Sequence, residues 1–215
     1  GAFLKGESFM IPKWWVGMVL LISLLAFPTM VGAEEESSAE STSDSSLLID
    51  THTGTILEAT NIDEVHGIAQ LSKWMTLYIV LQQLEEGQLT KEQMYEVSDY
   101  VAAVSEEASF FDIPFEAGTQ LSVKQLYDAL TITQSTAASV AFAELIDGSE
   151  AAFVKRMNEV AKELQLEKTL FTNASGEKGE LLIRMGSDIE NAESESVGTA
   201  RSLGELMYYT YQLHP

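Results

Sequence analysis

The sequence predicts a mixed α/β domain of the α+β kind, one short antiparallel hairpin followed by a long, mostly helical stretch. Three observations predict it. The 215 residues are 46% hydrophobic with mean hydropathy near zero, a globular composition with enough apolar side chains for one good core. Two short apolar runs flank a Thr-Gly turn near residue 50. Beyond residue 70, apolar side chains recur at helical spacing in one segment after another.

The N-terminus precedes that domain. Lys13 stands before an apolar run from Trp14 to Phe27, followed by Pro28 and the small residues Val31-Gly32-Ala33. A basic start, a short apolar core and a small-residue end predict a secretory signal peptide over residues 1–33, cleaved after Ala33. Read instead as an uncleaved anchor, a run of roughly 17 residues would just reach across a bilayer. Pro28 breaks the helix just before the small residues and favours cleavage. Met10 makes a natural start. Residues 34–46 are Glu, Ser, Thr and Asp with a single Ala. They cannot bury apolar surface and predict an acidic, disordered linker.

The domain is expected over residues 47–215. Leu47-Leu48-Ile49-Asp50 and Thr55-Ile56-Leu57-Glu58-Ala59, joined through Thr53-Gly54, predict a hairpin whose second strand alternates in burial. Trp74, Leu77, Tyr78, Leu81 and Leu84 then fall on one helical face, with Gly87 as the stop. Thr90 to Gln93 has the form of a capping box, although the segment after it is short. A second box, Ser122 to Gln125, opens a helix carrying Leu126, Ala129 and Leu130. Residues 137–146 are small and uncharged before Glu144, so that helix is expected to be buried. Gly148-Ser149 ends it and caps the next, whose stripe is Phe153, Met157, Val160, Ala161 and Leu164. Residues 176–198 read as an irregular polar loop around Leu181-Leu182-Ile183, and loops of that length are usually functional or mobile. A last helix over 199–213 should turn Leu203, Leu206, Met207 and Tyr211 inward.

Composition excludes several function classes. A formal net charge of −21, from 33 acidic against 12 basic residues, repels nucleic-acid phosphates and anionic lipid. The chain has no cysteine, so disulfides and thiol chemistry are excluded. His52, His66 and His214 are too scattered for a metal site or a catalytic triad, and no cofactor is implied. Asn173-Ala174-Ser175 fits a glycosylation sequon but reads better as a turn. Trp74 and Met75 read as core.

Six local motifs resemble the serine-type D-alanyl-D-alanine carboxypeptidases, the low-molecular-mass penicillin-binding proteins, in their Gram-positive form. The hairpin 48–57 is similar to that family's opening strands. Gln70-Leu71-Ser72-Lys73 resembles its Ser-x-x-Lys motif. Similar too are Val97 to Val101 with Glu116-Ala117-Gly118-Thr119, and Gly148-Ser149-Glu150 leading to Met157-Asn158. Leu170 to Gly176 is similar to its Phe-x-Asn-Ala-x-Gly turn, and Thr199-Ala200-Arg201 to its Ser/Thr-Ala-Arg/Lys segment. The resemblance implies the serine β-lactamase-like architecture: an antiparallel sheet flanked by helices, with a helical subdomain walling the cleft. It implies removal of the terminal D-alanine from peptidoglycan stem peptides through an acyl-enzyme, using Ser-x-x-Lys, Ser-x-Asn and Lys-Thr-Gly. It also implies export, with peptidoglycan stem peptides or cell-wall enzymes as partners at the cell wall or the outer face of the membrane.

The chain departs from that pattern at each catalytic element. Gln70 stands at the nucleophile position with Lys73 retained, and a carboxamide has no hydroxyl to activate. On the alignment of the following helix, Gln134 takes the second serine's place and Thr136 the asparagine's. The chain ends short of where the family places Lys-Thr-Gly, and Lys168-Thr169 is followed by Leu170. The expectation is therefore a chain lacking the family's last strands, with a degenerate site. Ser72 or Ser135 acting as an unorthodox nucleophile is the enzymatic alternative. A module whose cleft has also lost its ligand is the third reading.

Overall fold

The computed structural model describes residues 44–110, 112–193 and 195–213. The signal peptide and nearly all of the acidic linker expected from the sequence lie outside the described residues. In chain order the elements are β1 (Ser46–Ile49), β2 (Ile56–Thr60), β3 (His66–Gly67), α1 (Lys73–Glu85), β4 (Met94–Glu96), α2 (Asp99–Glu106), β5 (Gln120–Ser122), α3 (Val123–Ile132), α4 (Thr136–Asp147), α5 (Glu150–Glu163), α6 (Gly179–Met185), β6 (Val197–Gly198) and α7 (Ala200–Leu213). The strands form three two-stranded antiparallel pairs, β1–β2, β3–β6 and β4–β5. This is the mixed, helix-dominated architecture that the sequence predicts.

The hairpin turn is set by Asp50, whose carboxylate accepts from the backbone N–H of His52 and Thr53. Gly54 follows with φ +70°, a left-handed position that glycine adopts without strain. Strand β2 does not alternate in burial as expected but is exposed throughout. The strand that packs on α7 is β1, and β2 lies on its solvent side among the described residues. Gly204 permits that docking, because a Cβ there would lie 2.5 Å from Leu47 Cδ2 and 2.9 Å from Ile49 Cδ1. Gly204→Val is expected to cost about 2 kcal/mol by overpacking this seam, readable as a lower urea midpoint at unchanged slope.

Helix α1 sits at the centre and packs on α3, α4, α5 and α7. It contributes Val80 to one apolar cluster, with Val101, Leu126, Leu130, Val140 and Phe142. It contributes Met75 and Ile79 to a second, with Phe153, Met157, Phe171 and Leu206. A helix between two cores has no single apolar stripe, which corrects the expected face: Trp74, Leu77, Tyr78 and Leu84 are only partly buried.

Other elements follow their local signals to different degrees. Ser122 and Gln125 make the reciprocal capping box at the start of α3. Ser135 and Ser149 cap α4 and α5, and Gly148 ends α4 at φ +78°. The box expected at Thr90 opens no helix, because residues 91–96 bond to residues 120–124 through β4–β5 and its flanks. The expected loop 176–198 contains α6, which buries Leu182 and packs on α2. On α7, Leu203, Leu206 and Thr210 are buried, whereas Tyr211 is exposed. Among the described residues no helix is long and apolar enough to cross a membrane.

Candidate active site

Residues 69–72 form a single 3-10 turn that runs directly into α1, so position 70 lies one tight turn ahead of Lys73. In a 3-10 turn side chains three apart nearly eclipse, which stacks Gln70 and Lys73 on one side. The turn is held from outside by the segment Asn173–Gly176. Asn173 is buried, and its side-chain oxygen accepts from the backbone of Ser175 and Gly176 while its amide donates to the Glu177 carbonyl. The sequon is therefore a turn, with its amide nitrogen already bonded. The Thr76 hydroxyl donates to the Ala174 carbonyl at 2.7 Å, tying α1 to the same segment.

Contact between the two turns is close. Gly176 has φ +76°, and a Cβ built on it would fall 1.7 Å from the Ala69 carbonyl oxygen and 2.9 Å from Ser72 Oγ. Ser72 is fully buried against this turn, and its hydroxyl has no hydrogen-bond partner among the described residues.

All four residues singled out in the sequence gather here. Lys73 is 3% exposed; its Nζ donates to the Gln134 carbonyl at 2.6 Å and to Gln70 Oε1 at 3.4 Å. Gln134 contributes its backbone and not its side chain. It sits at φ +57° in the tight link between α3 and α4, which aims its carbonyl at the lysine and leaves its side chain exposed. Thr136 is buried at the start of α4, close enough to Glu177 to favour that residue's charged form. Neither candidate rescue serine bonds the lysine. Ser72 faces Gly176, and the Ser135 hydroxyl accepts from the Ala138 N–H as a helix cap. Met75 is fully buried, and Trp74, expected in the core with it, is partly buried against the second core and also lines a cavity of about 220 Å³ with Lys73, Leu130 and Gln134.

Two acidic residues complete the site, and neither was singled out in the sequence. Glu177 Oε1 accepts from Gln70 Nε2 at 2.8 Å, so the Gln70 carboxamide bridges a carboxylate and an ammonium. The Asp112 carboxylate accepts from the Ala137 N–H at the start of α4. The only signal for Glu177 was an acidic residue directly after a glycine-ended turn; its proximity to Gln70 comes from chain packing. Burial pulls the Lys73 ammonium below its usual range, against the opposing pull of Glu177 and Asp112. Burial likewise pushes the Glu177 carboxyl up, partly offset by Lys73, Gln70 and Thr136.

Beside Gln70 and Glu177 opens a cavity of about 560 Å³, lined also by Gly67, Gly176, Lys178 and Glu195. That volume suits a small ligand or the end of a peptide. The chemistry available is cation and hydrogen-bond recognition; the position three residues before the lysine offers no hydroxyl.

Comparisons with known proteins place the chain and its fold in one family. The family model described as D-alanyl-D-alanine carboxypeptidase matches residues 32–215. The D-alanyl-D-alanine carboxypeptidase DacF of Bacillus subtilis is 32% identical over 163 residues, which cover 74% of this chain and 41% of DacF. A Streptococcus pneumoniae structure described as a peptidoglycan synthesis regulatory factor (PBP3) superposes with a TM-score of 0.74 at 26% identity. That match covers 80% of this chain and 48% of the pneumococcal one. Penicillin-binding protein D2 of Listeria monocytogenes in its ampicillin-bound form gives a TM-score of 0.62 at 27% identity, over 80% of this chain and 63% of the other. The chain spans about two fifths of the length of the DacF relative.

Proposed function

Because the chain belongs to the D-alanyl-D-alanine carboxypeptidase family, we propose that it is an exported homologue that has kept a cleft for peptidoglycan stem peptides and given up acyl transfer. One observation carries the reading. The hydrogen bonds of Lys73 end on a carboxamide and a peptide carbonyl, so the lysine has no hydroxyl to activate. Gln70 and Glu177 fill the place where a nucleophile would meet its substrate.

A fluorescent penicillin tests this directly, since covalent labelling requires a nucleophile. No labelled band surviving denaturation is expected. A stable adduct, mapped to Ser72 or Ser135, would overturn the proposal in favour of an active enzyme with an unorthodox nucleophile. Retained binding is read separately, by titrating a peptide ending in D-Ala-D-Ala and following amide shifts of Gln70 and Glu177. No shift at millimolar peptide would leave a cleft without its ligand, the reading of a pure interaction module. Export predicts a mature chain beginning after Ala33 outside the cytoplasmic membrane, checked by fractionation and N-terminal sequencing.

A further inference from the structure

We propose that a second cavity, of about 290 Å³ and sharing no lining residue with the cleft, binds a free amino acid with a large apolar side chain. Its walls come from α5 and from two stretches of chain outside any helix, residues 170–172 and 189–191. This inference does not depend on what the cleft binds.

The cavity is framed by bonds that need no ligand. Asn158, one turn beyond Val154 on α5, donates to the carbonyls of Val154 and Phe171 at 2.9 and 2.8 Å. Its side-chain oxygen accepts from the Phe171 N–H at 3.0 Å. Residue 171 is thereby fixed against the helix, and the carboxamide keeps little capacity for a ligand. Leu170 exchanges both backbone hydrogen bonds with Val197, and the Thr172 N–H donates to Ser196 Oγ at 3.1 Å. The other stretch is tied to the start of the same helix, where the Asp188 carboxylate accepts from the Ala151 N–H at 2.9 Å. A cavity already framed loses little on ordering when it binds.

The lining specifies the ligand. Val154, Phe171 and Ile189 give an apolar interior, and Leu170 is left 49% exposed beside it. Lys155 and Glu190 are the charged residues that line the cavity. Both are exposed, and neither makes a hydrogen bond or ion pair among the described residues. An unpaired ammonium and an unpaired carboxylate beside an apolar hole match a zwitterion, with its carboxylate to Lys155, its ammonium to Glu190 and its side chain inside. A peptide end offers one of those charges, and a fatty acid offers the carboxylate alone. A plain anion would also be repelled by a chain of net charge −21. Volume bounds the size. At about 30 Å³ for each water-sized group the cavity holds on the order of ten, against roughly nine non-hydrogen atoms in leucine.

Titrating the whole purified protein with L- and D-leucine at low salt is the test, read by calorimetry and by amide shifts of Leu170, Phe171 and Ile189. Saturable binding of one enantiomer or both is expected, with a Kd of about 1 mM or tighter. Glycine should bind at least about tenfold more weakly, the effect of burying the side chain. N-acetylleucine and leucinamide, each missing one charge, should bind about two- to fivefold more weakly than leucine. Lys155→Met should weaken leucine by a similar factor and leave leucinamide unchanged, and Glu190→Gln should do the same while leaving N-acetylleucine unchanged. No saturation with either enantiomer up to about 20 mM overturns the proposal, as does glycine binding as tightly as leucine. Shifts confined to Gln70 and Glu177 would put the leucine in the cleft and also overturn it. N-acetylleucine binding as tightly as leucine would overturn the amino-acid assignment in favour of an apolar acid or a peptide end. Leucine affinity unchanged in both variants would overturn the roles given to Lys155 and Glu190.

Discussion

Gly176→Ala is expected to cost at least about 4 kcal/mol, a large share of the roughly 5–15 kcal/mol that holds a domain folded. Two effects add. The residue is at φ +76°, where a side chain costs about 1–2 kcal/mol. A Cβ would also overlap the Ala69 carbonyl at 1.7 Å, a backbone atom that cannot swing aside as a side-chain tip can. Gly118→Ala separates the two, because Gly118 has φ +78° and nothing within 4 Å of its would-be Cβ. The control should lose only the strain. Urea unfolding followed by far-ultraviolet circular dichroism compares them, and equal midpoints for the two variants would sink the close approach described between the turns.

The second large effect is expected at Glu150, the first residue of α5 and 1% exposed. Its carboxyl accepts from Tyr100 Oη and Ser187 Oγ, each at 2.6 Å, and from the Ala174 N–H at 3.1 Å. It therefore braces the same segment that bonds Thr76 and carries Gly176. Glu150→Ala strips three donors of their partner in a buried place and opens a cavity, for a cost of about 4 kcal/mol. Glu150→Gln keeps the shape and the acceptor for Ala174, and its amide can donate to the two hydroxyls, so it should cost less than about 1 kcal/mol.

Burial raises the Glu150 carboxyl above its ordinary value of 4.5 in the folded protein. Between that ordinary value and the raised one, the folded state holds a proton that the unfolded chain has lost. Stability contributed by Glu150 is then complete below the ordinary carboxyl range and declines as pH rises through the folded value. Glu150→Gln should flatten this decline. A wild-type stability that rises over the same interval while the variant's stays level would contradict the assignment.

Local signals in the sequence were legible where they were also sufficient. The Asp50 turn, the Ser122–Gln125 box and the Gly148-Ser149 junction are each set by residues within a few positions of one another, and each forms as expected. Thr90 to Gln93 carries a similar local signal and was overruled, because its backbone is recruited by a strand some thirty residues on, a tertiary pairing that a local pattern does not show. The face of α1 was misread for a related reason: periodicity reports one core, and this helix touches two. At the site, motif order located positions 70, 73, 134 and 136 together. What it could not convey is that Gln134 acts through its carbonyl, a consequence of a left-handed backbone. Nor could it convey Glu177, which is joined to Gln70 across more than a hundred residues of chain.

The short β3–β6 pair has a kinetic consequence. It joins His66-Gly67 to Val197-Gly198, the two ends of a segment that holds the whole first core and most of the second, and Ile68 N–H reaches the Ser196 carbonyl beside it. Closing so long a loop is entropically unfavourable until the intervening helices have shortened it, so this pairing belongs late in folding. The turn bearing Gln70 begins two residues after β3, and the wall bearing Glu195 and Ser196 ends just before β6. A chain arrested before that closure would show native helices by circular dichroism and no cleft at all. Any ligand bound there would therefore mark a molecule that has finished folding.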